Sequence, residues 1–320
     1  MKTIETERMS PVGPETNPVE ASIHWSAGKS VWYSLHLLLG LLGVLFFFDW
    51  VAMLVCGALT VITLCCGHTV GLHRLLIHRN LCCPRWLERT LVYLGTLVGM
   101  GGAFGMIYLH DIRDWAQRHH ECHPFFTHQS WIGKDWWWNL HCGISLENAP
   151  VFVIEADVAE DPLYRILQKT WMAQQIPLAV LLFLAGGWGF VLWGICARIA
   201  LSLTGHWLIG HFAHNYGQRD WHLHGHAVQG FNLPGLGLLT MGESWHNNHH
   251  AYPDSARLGI EAGQADPGWW FVMILEKFGL AREIRTPENL PDRPERKRIT
   301  IAEDVPAKLT SFTKKASFGA

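Results

Sequence analysis

The stretch VAMLVCGALTVITLCCGHTVGL, Val51 to Leu72, runs directly into HRLLIH, His73 to His78. The first part carries no charge and has the roughly 20 apolar residues that a helix needs to cross a bilayer core. The second begins and ends with histidine, the commonest metal ligand among side chains. An apolar run that delivers imidazoles to its exit reads as a metalloprotein built at a membrane surface.

The junction recurs along the chain. His119, His120, Cys122 and His123 follow the apolar run Leu91 to Leu109, and His246, His249 and His250 form a third cluster. Residues three and four apart share a helix face, so His119, Cys122 and His123 point together, as do His246, His249 and His250. His73 and His78, five apart, diverge by about 140° on an ideal α-helix. Their convergence therefore needs an unwound last turn or two separate metals. His206, His211 and His214, at the end of the last apolar run, add a further set. His24, His36, His68 and His128 stand alone and read as satisfied structural groups.

Working outward, the apolar runs pair into hairpins. Val31 to Phe48 and Val51 to Leu72 are separated only by Asp49 and Trp50; Trp171 to Ala185 and Phe190 to Ile209 flank a glycine-rich turn that includes Gly186, Gly187 and Gly189. The fold expected is an all-α membrane protein of about four transmembrane helices in two hairpins, with a cytosolic helical cap that holds a di-metal site. Leu91 to Leu109 is long enough for a fifth crossing, but that would put the second and third clusters on opposite faces. With Gly95, Gly99, Gly101, Gly102 and Gly105 inside it, it reads as re-entrant or interfacial. Trp136, Trp137 and Trp138 read equally as an interfacial aromatic belt or as packing over the metal domain.

Arg74, Arg79, Arg85, Arg89, Arg113, Arg118, Lys134, Arg165 and Lys169 all lie between the hairpins, while the short turns carry no Lys or Arg. The positive-inside rule then places the middle segment, both termini and every cluster in the cytosol, of a bacterial inner membrane or of the endoplasmic reticulum. Residues 1–29, with Pro11, Pro14 and Pro18, read as a flexible tail and not as a cleaved signal peptide. Residues 30–285 make the membrane domain. Residues 286–320 make a soluble C-terminal tail, and before it Trp269, Trp270 and Phe271 are expected to pack back on the body.

Composition agrees. With 49% hydrophobic residues, 17 Trp, 16% charged residues and a mean hydropathy of +0.11, the chain is more apolar than an ordinary soluble protein. Its net charge of -2 suggests no nucleic-acid partner. The eight cysteines form no disulfide framework; Cys56, Cys65, Cys66 and Cys196 lie inside apolar runs, as expected in a reducing compartment.

These motifs resemble one family. The three histidine clusters across two hairpins, with GLHRLLIHR (Gly71 to Arg79), Asp114, Trp115, Arg118 and His119, then Asp161 and Leu163, and GESWHNNHHAYP (Gly242 to Pro253), are similar in order to the membrane-bound fatty acyl desaturases, most of all the acyl-CoA delta-9 type. The likeness covers about Val31 to Leu280. It implies two irons bound almost wholly by histidine, with ligands carried over to His73, His78, His119, His123, His214, His246, His249 and His250. It also implies O2 as co-substrate, removal of two neighbouring hydrogens to leave a cis double bond, and a fatty acyl thioester or membrane lipid as substrate. The chain shows no fused cytochrome motif, so electrons would come from a separate ferredoxin or cytochrome.

Two positions depart from the family. Cys122 stands where the first histidine of an adjacent pair is expected; it is read as a thiolate ligand, as a packed thiol, or as a gap filled by His120. Gly210 stands where the acyl-CoA enzymes have an Asn bonded to a metal-bound water; His211, His206 or a water would fill that space. Glu121, Glu243, Asp111 and Asp114 are candidates to orient the ligand rings, or else ordinary solvated charges. A histidine-box hydroxylase or monooxygenase, and a non-catalytic membrane protein that binds metal or haem, are the alternative readings.

Overall fold

The computed structural model describes residues 8–299. Its framework is four long helical segments. Helix α1 (Ala27–Phe46) is followed by α2 (Trp50–Val61), and Asp49 makes the turn between them by accepting a hydrogen bond from the Ala52 amide at 2.7 Å. Such a cap satisfies one of the free donors at a helix start. The chain continues from α2 without a break into a π-helical run, Ile62–Ile77, so that one rod spans Trp50–Ile77.

Three helical runs are long and apolar enough to cross a membrane: Ala27–Phe46, Trp50–Ile77 and Gln175–Asn215. Their outward faces carry Leu38, Leu45, Phe46, Leu54, Leu181 and Leu184, all exposed. Rows of bare leucine and phenylalanine are costly in water and at home in lipid. The chain is thus an all-α membrane protein, and its only sheets among the described residues are three two-stranded pairings.

The third run folds back on itself. In α9 (Gln175–Val191), Gly186 and Gly187 leave the helical region, and Gly187 has φ 67°, which glycine adopts without a Cβ penalty. A second π-helical run (Leu192–Ala197) and α10 (Arg198–Asn215) then return alongside α9. Arg198, fully buried, donates to Gln175 Oε1 at 2.7 Å, to Gly194 O at 2.7 Å and to Leu97 O at 2.6 Å. The charge inside this apolar run is therefore a clamp between the two legs. The hairpins meet closely because a Cβ on Gly40 would lie 2.9 Å from the Ala197 Cα, and one on Gly43 2.8 Å from the Leu192 Cβ.

The glycine-rich segment does not form one long helix. It divides into α3 (Arg85–Thr96) and α4 (Ala103–Gln117), separated by Gly99 at φ 86°. At 12 residues α3 is about 18 Å long, short of a bilayer core. It packs along the π-helical end of α2 with its backbone almost touching: a Cβ on Gly67 would stand 2.3 Å from the Gly95 amide, and one on Gly71 2.4 Å from the Leu91 carbonyl.

Smaller elements complete the cap: α5 (Pro124–Thr127), α6 (Ile132–His141), α7 (Ala156–Ala159), α8 (Pro162–Thr170), α11 (His246–Ala251) and α12 (Pro267–Lys277). The two ends of the chain are more structured than their composition suggested. In residues 8–29, read as part of a flexible tail, β1 (Met9–Ser10) pairs with β4 (Val151–Phe152), and β2 (Ala21–Trp25) pairs antiparallel with β3 (Cys142–Leu146). Arg8 is buried, bonded to Asp111 at 3.0 Å and to Glu155 at 2.9 Å. The remainder of that tail, residues 1–7, lies outside the described residues. In the C-terminal tail, β6 (Arg296–Arg298) pairs with β5 (Trp221–Leu223), and Arg296 stacks over Tyr252; residues 300–320 are likewise outside. Trp269 and Phe271 of α12 pack against the α2 end and α3, as expected from sequence, while Trp270, expected to join them, is exposed.

Candidate metal centre

The π-helical run resolves the spacing of the first cluster. Its bonds run from residue i to i+5, including His78 N to His73 O at 3.0 Å, so residues five apart fall on one face. The His73 and His78 rings lie 4.8 Å apart, centre to centre. His249 of α11 stands 4.7 Å from His73 and 4.8 Å from His78. The fourth member is His110 of α4, whose Nε2 is 3.2 Å from His78 Nε2. One donor atom from each of His73, His78, His110 and His249 lies within 4.8 Å of the others.

A second group joins His214, at the end of α10, to His246 and His250. His246 Nε2 is 3.0 Å from both His214 Nε2 and His250 Nε2. Helix α11 thus serves both groups, with His246 and His250 one turn apart facing one way and His249 facing the other. The asparagines between them fix the helix. Asn247 Oδ1 accepts from the amides of Asp220 and Trp221 at 2.8 Å, and Asn248 Nδ2 donates to Leu258 O at 2.8 Å.

These nitrogens cannot satisfy one another. His214 Nδ1 donates to Gly210 O at 2.7 Å, which leaves its Nε2 as a lone pair, with the Gln117 amide nitrogen 3.2 Å away. His246 Nε2 faces both His214 Nε2 and His250 Nε2, yet a ring nitrogen carries either one hydrogen or one lone pair. A cation between them resolves the conflict, and two ligands about 2.1 Å from one metal stand about 3 Å apart at a right angle. The protonation states suit it as well. Burial, reinforced by neighbouring imidazoles, pushes His246 and His250 well below the usual histidine range and His249 down to about 3. Neutral imidazole is the form that binds metal.

Carboxylates stand behind the rings. Glu243 Oε2 lies 2.9 Å from His73 Nδ1, an approach too oblique for a full hydrogen bond, and Asp111 Oδ1 is 3.2 Å from His110 Nδ1. Burial opposes a charge on Glu243, but His73, Arg74 and His68 hold its carboxyl well below the usual carboxylate range. Asp114, one turn beyond His110, is bonded to Arg118 at 2.8 Å; there too burial is outweighed, by Arg118 and by His110, His78 and His249. Glu121 is exposed at the surface. A cavity of 320 Å³ opens beside His78, lined by Arg8, Asp111, Asp114, Arg118 and Arg293 among others, and joins the first group to the polar surface.

The structure separates the sequence clusters differently from their spacing. His73, His78 and His249 come together, as do His214, His246 and His250. His119, His120, Cys122 and His123 lie outside both groups. His119 Nδ1 bonds Trp115 O at 2.8 Å and its ring packs on that indole. His123 caps α5 by accepting from the Phe125 amide, and its ring lies 5.7 Å from that of Trp138. Cys122 packs against the buried cluster of Met9, Ile112, Trp115 and Phe125, where burial pushes its thiol up to about 12. His120 lies beside Gly225. Helix α4 ends at Gln117, so the shared helix face expected of His119, Cys122 and His123 does not continue through them.

His110 was missed because it has no histidine partner in the sequence. Its signal was position: it directly follows Leu109, the last residue of the apolar run. Among the remaining candidates, His206 faces His68 at 5.2 Å and His211 bonds Asp135 at 2.9 Å. Trp136 and Trp137 pack on His141 while Trp137 stays exposed, so the aromatic run both packs and faces outward.

No protein-family model matches the chain. Curated relatives do. It is 36% identical over 268 residues to an sn-1 stearoyl-lipid 9-desaturase of Anabaena variabilis, covering 81% of this chain and 95% of that protein. It is 34% identical over 258 residues to the protein of the same name from Synechocystis sp., covering 79% and 78%. It is also 33% identical to an acyl-CoA C20 Delta5-desaturase of Anemone leveillei over 77% of this chain and 78% of the relative. Two groups of converging imidazoles at the ends of apolar hairpins and this extent of likeness lead to one conclusion: the chain belongs to the membrane fatty acid desaturases, oxidoreductases that introduce a double bond into a fatty acyl chain.

Proposed function

We propose that this chain desaturates saturated acyl chains of delta-9 type carried on a membrane lipid, with one iron in each histidine group, O2 as co-substrate and electrons from a separate ferredoxin or cytochrome. The observation that carries the reading is the pair of imidazole groups, His73, His78, His110 and His249 beside His214, His246 and His250, joined by the short helix α11. The lipid-linked substrate and the position of the double bond rest on the two cyanobacterial relatives.

Iron bound there would supply activation of O2, an oxidant strong enough to take hydrogen from an unactivated methylene, which no side chain provides. The protein's own part is placement. His73 and His110 have Glu243 and Asp111 beside their Nδ1 atoms at 2.9 Å and 3.2 Å, carboxylates placed to orient the two rings. Arg74, buried between Asp266 and Ala256 O, locks the end of α2 to the segment that follows α11, so the ligands of both groups form one rigid unit. The apolar hairpins exclude water and offer an acyl chain about 0.8 kcal/mol for each methylene buried.

By the distribution of Lys and Arg, both groups and the termini face the cytosol. The membrane is the bacterial inner membrane or the endoplasmic reticulum. The test is expression in a host with a competent electron donor, with lipid fatty acids compared by mass spectrometry against a His246→Ala control. A new fatty acid lighter by two hydrogens, absent from the control and appearing in intact lipid before the thioester pool, supports the reading. Its appearance first as a free thioester moves the substrate, and a product heavier by one oxygen moves the reaction to hydroxylation.

A further inference from the structure

The second histidine group has three nitrogens where the first has four, and one buried ring beside it has a nitrogen with nothing to bind. His128 is 1% exposed and ends α5 with φ 52°, a left-handed backbone that few residues other than glycine adopt. Its Nδ1 is held by Asp135 Oδ2 at 3.0 Å. Its Nε2 is buried and has no hydrogen-bond partner. The ring lies parallel to His214, 5.2 Å away and tilted by 15°.

Asp135 is itself fully buried and accepts at the same oxygen from Trp207 Nε1 at 2.8 Å and His211 Nδ1 at 2.9 Å, while Asn139 donates to the other oxygen. Burial opposes a charge on it, but its bonds hold the carboxyl below the usual carboxylate range. A charged carboxylate has no proton to give, so His128 is the donor at Nδ1. In the neutral ring, the form that sits beside a metal, His128 Nε2 is then a lone pair. Leaving such an acceptor buried and unmade costs about 1–3 kcal/mol, and a left-handed non-glycine backbone adds to the cost.

Gly210 supplies the space. A Cβ there would stand 3.2 Å from His128 Nε2, so His128 occupies the volume that any larger residue at position 210 would fill. His128 thus sits over the helix turn that carries His214, with its lone pair kept free by a carboxylate behind the ring. Carboxylate–histidine pairs of this form orient metal-binding rings.

We propose that His128 is a positioning residue of the His214–His246–His250 centre, its Nε2 accepting a hydrogen bond from a water molecule that completes the coordination of the metal held there. This rests on the reading that the group binds metal. His128 does not join the three donors within 4.8 Å of one another, which favours the water-mediated contact over direct ligation.

The test loads purified full-length protein in detergent with Co(II) and reads stoichiometry, dissociation rate and the visible d–d spectrum. Two ions per chain in the unmodified protein is the test of the underlying reading. Given that, His128→Ala and the shape-keeping His128→Gln are compared with His24→Ala as control. We expect one of the two ions to dissociate about 10–100-fold faster in His128→Ala, with a changed spectrum for that ion alone. Asp135→Asn should give the same signature more weakly. Added imidazole should restore the His128→Ala spectrum. A folded His128→Ala protein that keeps both ions with unchanged rate and spectrum overturns the proposal, as does loss of both ions together or a His128→Gln protein, which keeps an acceptor, no better than His128→Ala.

Discussion

Replacing Asp266 with Ala should be among the most damaging single changes in the cap. Asp266 and Arg74 are each 1% exposed and meet at 2.7 Å. Asp266 Oδ1 also accepts from the Trp269 amide at 2.9 Å, and Oδ2 from the amides of Leu258 at 2.8 Å and Gly259 at 3.1 Å. Removing one partner of a buried ion pair costs about 3–5 kcal/mol, since it strands the other charge. The lost cap of α12 adds about 1 kcal/mol, and the orphaned amides add about 1–3 kcal/mol each where water cannot reach them. These contributions overlap, so we take about 5 kcal/mol as the sum. For a chain of this size that is a fall in Tm of about 10 °C or more.

The assay is thermal unfolding of purified protein in detergent at a fixed heating rate, which compares variants even if unfolding is irreversible. Asp266→Asn, which keeps the shape and one acceptor, should fall between the two. The double replacement Arg74→Leu with Asp266→Ala should recover part of the loss, because no charge is left unpaired. A Tm for Asp266→Ala within about 2 °C of the parent, or a double variant less stable than the sum of the singles, would refute the reasoning.

Other expectations follow from the same packing. Gly71→Ala puts a Cβ 2.4 Å from the Leu91 carbonyl, so α3 must move away from α2, and we expect about 1–3 kcal/mol of destabilisation by thermal unfolding with reduced metal binding. Metal-free protein should be most stable above pH 7. The usual histidine value near 6.5 applies to the unfolded chain, while His249 in the fold is down at about 3 and His246 and His250 are also well below. Between those limits the unfolded chain binds more protons, so Tm should fall as pH drops from about 6.5 toward 3; a flat profile would contradict the buried neutral rings. Cys122→Ser should cost about 1 kcal/mol through its packing and leave metal content unchanged, measured by elemental analysis. Loss of metal would restore the thiol as a ligand.

The fold was legible where sequence periodicity is strong and local. The two hairpins were readable because runs such as Val51 to Leu72 have no soluble alternative, and the Gly186–Gly187 turn because two glycines interrupt an otherwise continuous apolar run. The third histidine cluster does lie on one short helix, but its members, expected to point together, divide between the two groups, His246 and His250 facing one way and His249 the other. Less legible were features that depend on tertiary geometry. A π-helix is not written in any residue type, yet it is what aligns His73 with His78. His110 lies with His73, His78 and His249 while His119 to His123 do not, because α4 ends at Gln117, and a regular spacing carried past that point indicates a face that no longer exists. His128 was read as a satisfied lone histidine, and half of it is: Nδ1 has Asp135, whereas Nε2 has no partner. The N-terminal strands were hidden because their partners, β3 and β4, lie more than 100 residues away.

The most direct measurement of the central claim is the iron content of protein reconstituted anaerobically with ferrous iron, for the unmodified chain, His110→Ala and His119→Ala side by side. Two irons per chain in the unmodified protein and in His119→Ala, with one lost or much weakened in His110→Ala, is the expected result. Fewer than two in the unmodified chain, or a loss in His119→Ala that His110→Ala does not share, would contradict the assignment of the two histidine groups.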